Sequence, residues 1–195
     1  MNTNDRPFIV GMGGTPALNS SSERALRVAL GETARLGADT ALFAGPSLLL
    51  PMYAPGVAGG EVQARELVAA LRRADGIIMS SPSYHGGLSG LLKNALDYTE
   101  EMRDDGRPYF EGRAVGLIVC VQGWQAVGTT LTSMRSLVHA LRGWPTPLGV
   151  GINTSAGGLS TDHCQSEQDV SLQLKKLAEQ VVWFARQSAS QQKAA

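Results

Sequence analysis

Short apolar runs alternate with longer segments of helical periodicity along almost the whole chain. The runs lie at residues 8–12, 40–44, 76–80, 114–121 and 147–152, and the helical segments at 21–36, 61–73, 88–96, 127–142 and 167–186. Residues 114–121 are apolar throughout, as in a strand that is covered on both faces of its sheet, where alternation of polar and apolar residues is not required. Strands that alternate with helices in this way indicate a parallel, doubly wound α/β sheet.

The length and charge of the chain fit one globular domain. A chain of 195 residues can bury roughly 70% of its unfolded surface. We expect a single domain at residues 1–187 and a disordered tail at 188–195, beyond the last apolar stripe. With 17 basic and 17 acidic side chains, no net field favours nucleic acid or an anionic membrane. The expected partners are small molecules or other protein surfaces.

Cysteine content and hydropathy bear on metal binding and location. Cys120 and Cys164 are the two cysteines, and their spacing matches no metal site. So few cysteines are expected of a reducing compartment. Residues 1–7 are polar and lack the apolar core of a signal peptide, and no run reaches the roughly 18 apolar residues of a membrane span. We therefore expect a cytoplasmic protein without a metal.

The segment after the third apolar run has the composition of a ligand-binding turn. Pro82 fixes one backbone angle, while Gly86 and Gly87 permit positive φ and leave the main chain open to close approach. Helical spacing then recurs at Leu88, Leu91, Leu92, Ala95 and Leu96. Such a turn can hold a flat ring with polar edges, and an ordinary connection between a strand and a helix explains it equally well.

The same segment carries a longer sequence pattern. It reads Pro-x-Tyr-x-Gly-x-x-x-Gly-x-Leu-Lys-Asn-Ala-x-Asp, with fixed residues at Pro82, Tyr84, Gly86, Gly90, Leu92, Lys93, Asn94, Ala95 and Asp97. This pattern resembles the signature of the NADPH-dependent FMN reductase family. The resemblance implies a flavodoxin-like three-layer sandwich, with a five-stranded parallel sheet in the order 2-1-3-4-5 and helices on both faces. It also implies that the flavin ring of FMN lies against Pro82, Ser83, Tyr84, His85, Gly86 and Gly87.

A second glycine turn, followed by hydroxyl side chains, comes directly after the first apolar run. Its candidate phosphate ligands are Gly14, Thr15, Asn19, Ser20, Ser21 and Ser22. The first amides of a helix lack internal partners, and the helix dipole favours an anion there. Pro16 breaks a dinucleotide fingerprint, and a P-loop lysine is missing. A capping box of Ser20 and Glu23, with no ligand, is the alternative.

Charge at this turn departs from the family that the chain resembles. Family members often carry an arginine in the turn, whereas this chain has no lysine or arginine between Arg6 and Arg24. Glu23 would repel a phosphate unless its carboxylate points away. Neutral donors would then have to hold the phosphate.

The loop after the fourth apolar run is the third candidate wall of a cleft. In an open parallel sheet, ligands bind beyond the carboxyl ends of the strands, at the point where the strand order reverses. Gln122 could hydrogen-bond the flavin edge, Gly123 gives access to the backbone, and Trp124 could stack on the ring. A structural tryptophan that caps the sheet is an equal alternative.

The resemblance implies NAD(P)H-dependent reduction of FMN, with FMN and NADPH or NADH as the cofactors. No catalytic side chain is expected, because the cofactor carries the chemistry. The segment 87–91 breaks a hydrolase elbow at its last position, and His85, His139 and His163 have no convincing partner spacing. The alternatives are a reductase of quinones, azo dyes or metal oxyanions that retains its FMN, and a non-enzymatic flavodoxin-like electron carrier.

The resemblance also implies self-association and an electron acceptor. Family members form dimers or tetramers, and we expect a homodimer or homotetramer. Tyr98, Met102, Tyr109 and Phe110 offer apolar surface for such contacts, with core packing as the alternative for some of them. The Gly/Pro-rich loop at 45–60 is long enough to suggest a further subunit contact, although a plain surface loop explains it nearly as well. A flavin-dependent monooxygenase is one acceptor that the resemblance implies.

Overall fold

The computed structural model describes the backbone of residues 6–56, 61–156 and 164–194 and the side chains of residues 6–56, 61–155 and 168–189. His163 and the end of the 45–60 loop lie outside the described residues.

The described chain forms a parallel sheet with helices between its strands. The strands are β1 (Phe8–Gly13), β2 (Asp39–Ala44), β3 (Gly76–Pro82), β4 (Ala114–Val121) and β5 (Trp144–Asn153). The helices are α1 (Ser21–Arg35), α2 (Val62–Arg73), α3 (Gly90–Asp97), α4 (Gln125–Ala140) and α5 (Cys164–Ala194). All paired strands are parallel, and their order is β2-β1-β3-β4-β5. The predicted α/β fold and strand order are confirmed.

Apolar cores cover both faces of the sheet, because successive strand residues point to opposite sides. Ile77 belongs to the core formed with α2, α3 and α4, whereas its neighbour Ile78 belongs to the core formed with α1 and α5. Every residue of β4 is buried, as its unbroken apolar sequence predicts. The two cores fix the strand ends from which the loops of the candidate site depart.

Several element boundaries differ from the sequence expectation, and two of the differences have a clear physical cause. Strand β5 begins at Trp144, before the expected start at 147, because an edge strand tolerates Pro145 and Pro147. Helix α5 continues to Ala194, beyond the expected end at 186 and into the expected tail, since residues 187–194 contain no glycine or proline to stop it. The Ser188 hydroxyl donates to Gly112 O (3.1 Å), which ties this part of the helix to the loop before β4.

The aromatic and apolar residues after α3 are mostly core residues. Tyr98, Met102 and Phe110 are buried within the apolar core, and Tyr109 is half-buried. Of the two alternatives, burial therefore favours core packing over a subunit contact for Tyr98, Met102 and Phe110. A 3₁₀ turn at Tyr98–Met102 turns Tyr98 and Met102 inward.

Within the described part of the chain, no helix combines the length and apolar character needed to cross a membrane.

Candidate functional site

A cleft of about 300 Å³ lies at the carboxyl edge of the sheet. The strands β1 and β3 are neighbours, and the helices that follow them, α1 and α3, pack on opposite faces. This is the switch point at which ligands bind in open α/β sheets. The residues that line the cleft are Thr15, Ser20, Ser21, Ser22, Pro82, Ser83, Tyr84, Cys120, Val121, Gln122 and Thr154.

The turn after β1 is pressed against β3. Gly13 has φ 142°, and a Cβ there would lie 1.8 Å from Ser80 O, so no other residue fits. The next amide, Gly14 N–H, donates to the same carbonyl (3.0 Å). Gly14 thus links the end of β1 to β3, and it does not line the cleft.

The amino terminus of α1 opens onto the cleft. Ser20 is the N-cap, and its Oγ accepts from Glu23 N–H (3.3 Å). Among the described residues, no acceptor takes the backbone N–H of Ser21 or Ser22. The Ser80 hydroxyl donates to Ser22 O (2.8 Å) and fixes the helix start beside β3. Free amides and hydroxyls at a helix start are suited to an anion such as a phosphate.

Glu23 faces away from the cleft. Its Oε2 accepts from Asn19 N–H (3.0 Å) and its Oε1 from Arg27 Nη2 (2.7 Å) and Nε (3.0 Å). The carboxylate is buried, with 2% of its side chain exposed. The capping box therefore forms in a modified way: the Glu23 carboxylate accepts from the backbone N–H of Asn19, one residue before the N-cap Ser20. The expected repulsion between Glu23 and a phosphate is relieved by this ion pair.

The side chains that line the phosphate end of the cleft are uncharged, while the charge of Arg24 on α1 reaches the cleft and partly offsets the effect of burial on the pKa of the Cys120 thiol. No lysine, arginine, aspartate or glutamate is among the cleft-lining residues that the structure describes. Asn19 has φ 57° and is exposed, and its backbone N–H donates to the Glu23 carboxylate. The donors that fit a phosphate are thus the free amides and the hydroxyls of Thr15, Ser20, Ser21 and Ser22.

Serine hydroxyls shape the loop after β3. Ser81 Oγ accepts from Ser89 N–H (2.9 Å) and donates to Pro82 O (2.7 Å). Ser83 Oγ and Thr130 Oγ1 of α4 share a hydrogen bond of 2.7 Å. Because these bonds hold the loop between the sheet and two helices, Pro82, Ser83 and Tyr84 form a fixed wall of the cleft.

A two-residue turn follows that wall. Tyr84 and Gly87 exchange both backbone hydrogen bonds (2.9 and 3.0 Å), and the central residues, His85 and Gly86, have φ 53° and 81°. Positive φ at both central positions is typical of a type I′ turn. Gly87 does not have the positive φ that its sequence position suggested, and His85, which is exposed, adopts it instead. His85, Gly86 and Gly87 lie outside the cleft lining.

The loop after β4 contributes Gln122 to the cleft, whereas Gly123 and Trp124 lie outside its lining. Trp124 is 62% exposed and starts the first turn of α4. The alternative of a tryptophan that caps the sheet therefore finds no support in its burial.

The cleft is also lined by Cys120, Val121 and Thr154, of which only Val121, at the start of the loop after β4, was expected from the sequence. The first two end β4, and Thr154 follows the end of β5. The rule that ligands bind at the carboxyl ends of strands could have indicated Cys120 and Thr154 as well. Burial raises the pKa of the Cys120 thiol to about 12, so the cleft floor is neutral.

Residues of the signature pattern on and next to α3 support a neighbouring loop. Asn94 Oδ1 accepts from Tyr53 N–H (2.9 Å), and its Nδ2 donates to Leu50 O (3.1 Å) and Pro51 O (2.9 Å). Tyr98 OH also donates to Pro51 O (3.0 Å). The signature helix therefore holds the segment that follows β2. Lys93 and Asp97 form an exposed ion pair (2.6 Å).

The sequence of the chain matches a known protein family. The family model described as NADPH-dependent FMN reductase matches residues 7–157. A curated relative from Staphylococcus aureus, named FMN-dependent NADPH-azoreductase, is 29% identical over 126 residues, which are 64% of this chain and 63% of that protein. The chain thus matches less than two-thirds of the length of that relative.

Solved structures share the fold. The apo form of an NADH:FMN oxidoreductase, EMOB, superposes with a TM-score of 0.67 at 21% identity, over 92% of this chain and 88% of that one. A WrbA-like flavodoxin from Agrobacterium tumefaciens gives a TM-score of 0.62 at 18% identity, over 94% and 99%. These likenesses support a flavodoxin-like fold. Since the family model covers most of the chain, the protein belongs to the NADPH-dependent FMN reductase family.

Proposed function

We propose that this protein binds FMN in the cleft and uses a reduced nicotinamide to reduce it. The observation that carries the proposal is the pairing of a helix start with free amides and hydroxyls at one end of the cleft and a fixed wall, Pro82–Tyr84, at the other. When bound, FMN accepts a hydride and passes electrons to an acceptor. Membership of the family supports the same activity.

The chain's own residues would bind and orient the cofactor. The hydroxyls of Thr15, Ser20, Ser21 and Ser22 would hold the phosphate, together with the free amides of α1. Pro82, Ser83, Tyr84 and Gln122 would border the ring. Direct contact of FMN with Gly14, Asn19, His85, Gly86, Gly87, Gly123 and Trp124, which lie outside the cleft lining, stays a prediction from the sequence.

Proton transfer by a side chain is not part of the proposal. Tyr84 and Cys120 are the titratable residues in the described cleft lining, and burial raises the pKa of Cys120 to about 12. A thiol with such a pKa stays protonated at neutral pH. The site therefore favours a role in binding and orientation over acid–base chemistry.

We also propose an oligomer, a set of acceptors and a location. Exposed apolar side chains lie on the loops at this edge of the sheet: Leu18, Leu49, Met52, Tyr84 and Trp124. Such side chains are suited to a homodimer or homotetramer contact. The Staphylococcus aureus relative supports an azo compound as acceptor, with quinones, metal oxyanions and a flavin-dependent monooxygenase as alternatives. The cysteine content favours the cytoplasm.

Sedimentation at micromolar concentration tests self-association. We expect a species of twice or four times the chain mass. A monomer alone at that concentration would contradict the oligomer and leave the flavin site untouched.

The activity is tested by following NADPH and NADH oxidation as free FMN is increased. We expect oxidation that requires FMN. If a catalytic amount of FMN together with a quinone or azo dye saturates the rate, the protein retains its flavin. FMN binding without oxidation of either nicotinamide would replace the reductase by an electron carrier, and no FMN binding would overturn the proposal altogether.

A further inference from the structure

The turn that follows β5 forms a fourth wall of the cleft. Asn153, the last residue of β5, pairs with Val121 at the end of β4. The 3₁₀ turn Thr154–Ala156 comes next, which places it beside the β4 loop at the same edge of the sheet. Thr154 lines the cleft together with Val121 and Gln122.

Two hydroxyl groups of this turn donate hydrogen bonds to backbone carbonyls at the end of β4 and in the loop after it. Thr154 Oγ1 donates to Val121 O (2.9 Å), and Ser155 Oγ donates to Gln122 O (2.9 Å). A hydroxyl has one proton and two lone pairs. Because its proton is used, the Thr154 oxygen can only accept a hydrogen bond from a ligand in the cleft.

Hydrogen-bond donors adjoin this acceptor. Gln122 lines the cleft, and its backbone N–H has no acceptor among the described residues. An acceptor next to donors complements a ring edge in which one N–H lies between two carbonyls, which is the imide edge of a flavin. We propose that Thr154 binds the cofactor directly, by accepting a hydrogen bond from the imide N–H of the flavin ring. This inference rests on the FMN site proposed above.

Dissociation constants of two ligands test the inference: FMN and 3-methyl-FMN, which carries a methyl group on the imide nitrogen. Thr154→Val keeps the shape of the side chain and removes the acceptor, while Thr154→Ser keeps the hydroxyl. Ser155→Ala is the matched control, since it removes the neighbouring bond to the β4 loop from a residue outside the cleft lining. Fluorescence quenching of the flavin gives each constant.

Methylation of the imide should weaken flavin binding to the wild type, to Thr154→Ser and to Ser155→Ala, because all three keep the acceptor. In Thr154→Val, the loss of affinity on methylation should be smaller by a factor of about 5, the value of one hydrogen bond. If Thr154→Val does not fold, Thr154→Ala removes the same acceptor. An equal methylation effect in the wild type and the valine or alanine variant would overturn the inference and leave Thr154 as a support of the β4 loop. Wild-type protein that binds no FMN would overturn the proposed function, and this inference with it.

Discussion

The individual residues that line the cleft carry no formal charge, so bound phosphate would be contacted by dipoles, with the charge of Arg24 acting from outside the lining. Glu23, the nearest acidic residue on α1, is paired with Arg27 and faces away. What remains is a helix start with free amides, supplemented by hydroxyls. Dipoles of this kind form anion sites in proteins without a lysine or arginine. The missing family arginine is thus compatible with a phosphate site.

Ser21 offers the cleanest test of that site. It lines the cleft, and within the described structure its hydroxyl forms no hydrogen bond, whereas Ser20 caps α1. We expect Ser21→Ala to weaken FMN binding about 3- to 10-fold, the value of one hydrogen bond, and to leave riboflavin binding unchanged. Ser136→Ala, on the exposed face of α4, is the control and should change neither. Equal losses for FMN and riboflavin would contradict the placement of the phosphate.

The Cys120 thiol should be inert although it lines the cleft. Burial raises its pKa to about 12 from an ordinary 9.0, and only the thiolate is nucleophilic. In a Cys164→Ser background, we expect iodoacetamide at pH 8 to modify the folded protein far more slowly than the unfolded chain. Similar rates would mean that the thiol is ionised or freely accessible.

The same thiol makes stability depend on pH. The unfolded thiol loses its proton near 9, while the folded one keeps it until about 12. The folded state therefore holds more protons in this window, so its stability falls as the pH rises from 9 to 12. Urea unfolding at several pH values should show a smaller fall in Cys120→Ala, and an unchanged fall would contradict the raised pKa.

Among the elements, α3 acts as a scaffold for a loop. Asn94 makes three hydrogen bonds to the backbone of residues 50–53. That segment continues from Gly45, where a Cβ would lie 3.5 Å from Leu18 and 3.9 Å from Thr15 O. Helix α3 therefore supports the loop after β2, and this loop in turn lies next to the turn after β1 that contains Thr15.

Two neighbouring signature residues should differ sharply in their effect on stability. Asn94→Ala leaves buried backbone groups of residues 50–53 without partners, and we expect a loss of about 2–4 kcal/mol in the free energy of unfolding. Lys93→Ala removes an exposed ion pair and should cost less than about 1 kcal/mol. Urea unfolding measures both. Losses of similar size would contradict the support role of Asn94.

Sequence patterns located the three loops but not the direction of each side chain. The hydroxyls after β1 and the segment Pro82–Tyr84 follow from strand ends and turn residues, and they do line the cleft. The exposure of Trp124 and the positive φ of His85 do not follow, because both depend on where a turn enters the next helix or strand. Thr154 was missed since a lone threonine carries no pattern, although its position after a strand was visible.

On the scale of the whole molecule, both apolar cores share one sheet. Leu71 of α2 belongs to one core and Leu177 of α5 to the other, and both are fully buried. We therefore propose that residues 1–187 unfold as one domain. Leu71→Ala and Leu177→Ala should each lower the free energy of unfolding by about 2–5 kcal/mol, with tryptophan fluorescence and far-ultraviolet circular dichroism changing together. Separate transitions for the two probes would contradict a single domain.

The overall fold could be predicted from the sequence more fully than the side-chain hydrogen bonds that hold its segments together. Apolar runs and helical periodicity are repeated along the chain, so five strands of a parallel sheet could be predicted, and the resemblance to the family implied their order. Arg113 could not be placed, since a charged residue before a strand suggests exposure. It is fully buried, and its guanidinium donates to Arg72 O, Ala74 O and Tyr109 O. Such a position depends on carbonyls from distant segments that come together only in the folded chain.

Fluorescence titration of the wild-type protein with FMN and with riboflavin tests the central claim most directly. The two ligands share the ring and differ in the phosphate, for which the cleft offers hydroxyls and free amides at the start of α1. We predict saturable binding of both, with FMN bound at least about 10-fold more tightly, as expected from a few neutral hydrogen bonds. Equal affinities, or no binding of either ligand, would contradict a flavin cleft with its phosphate end at α1.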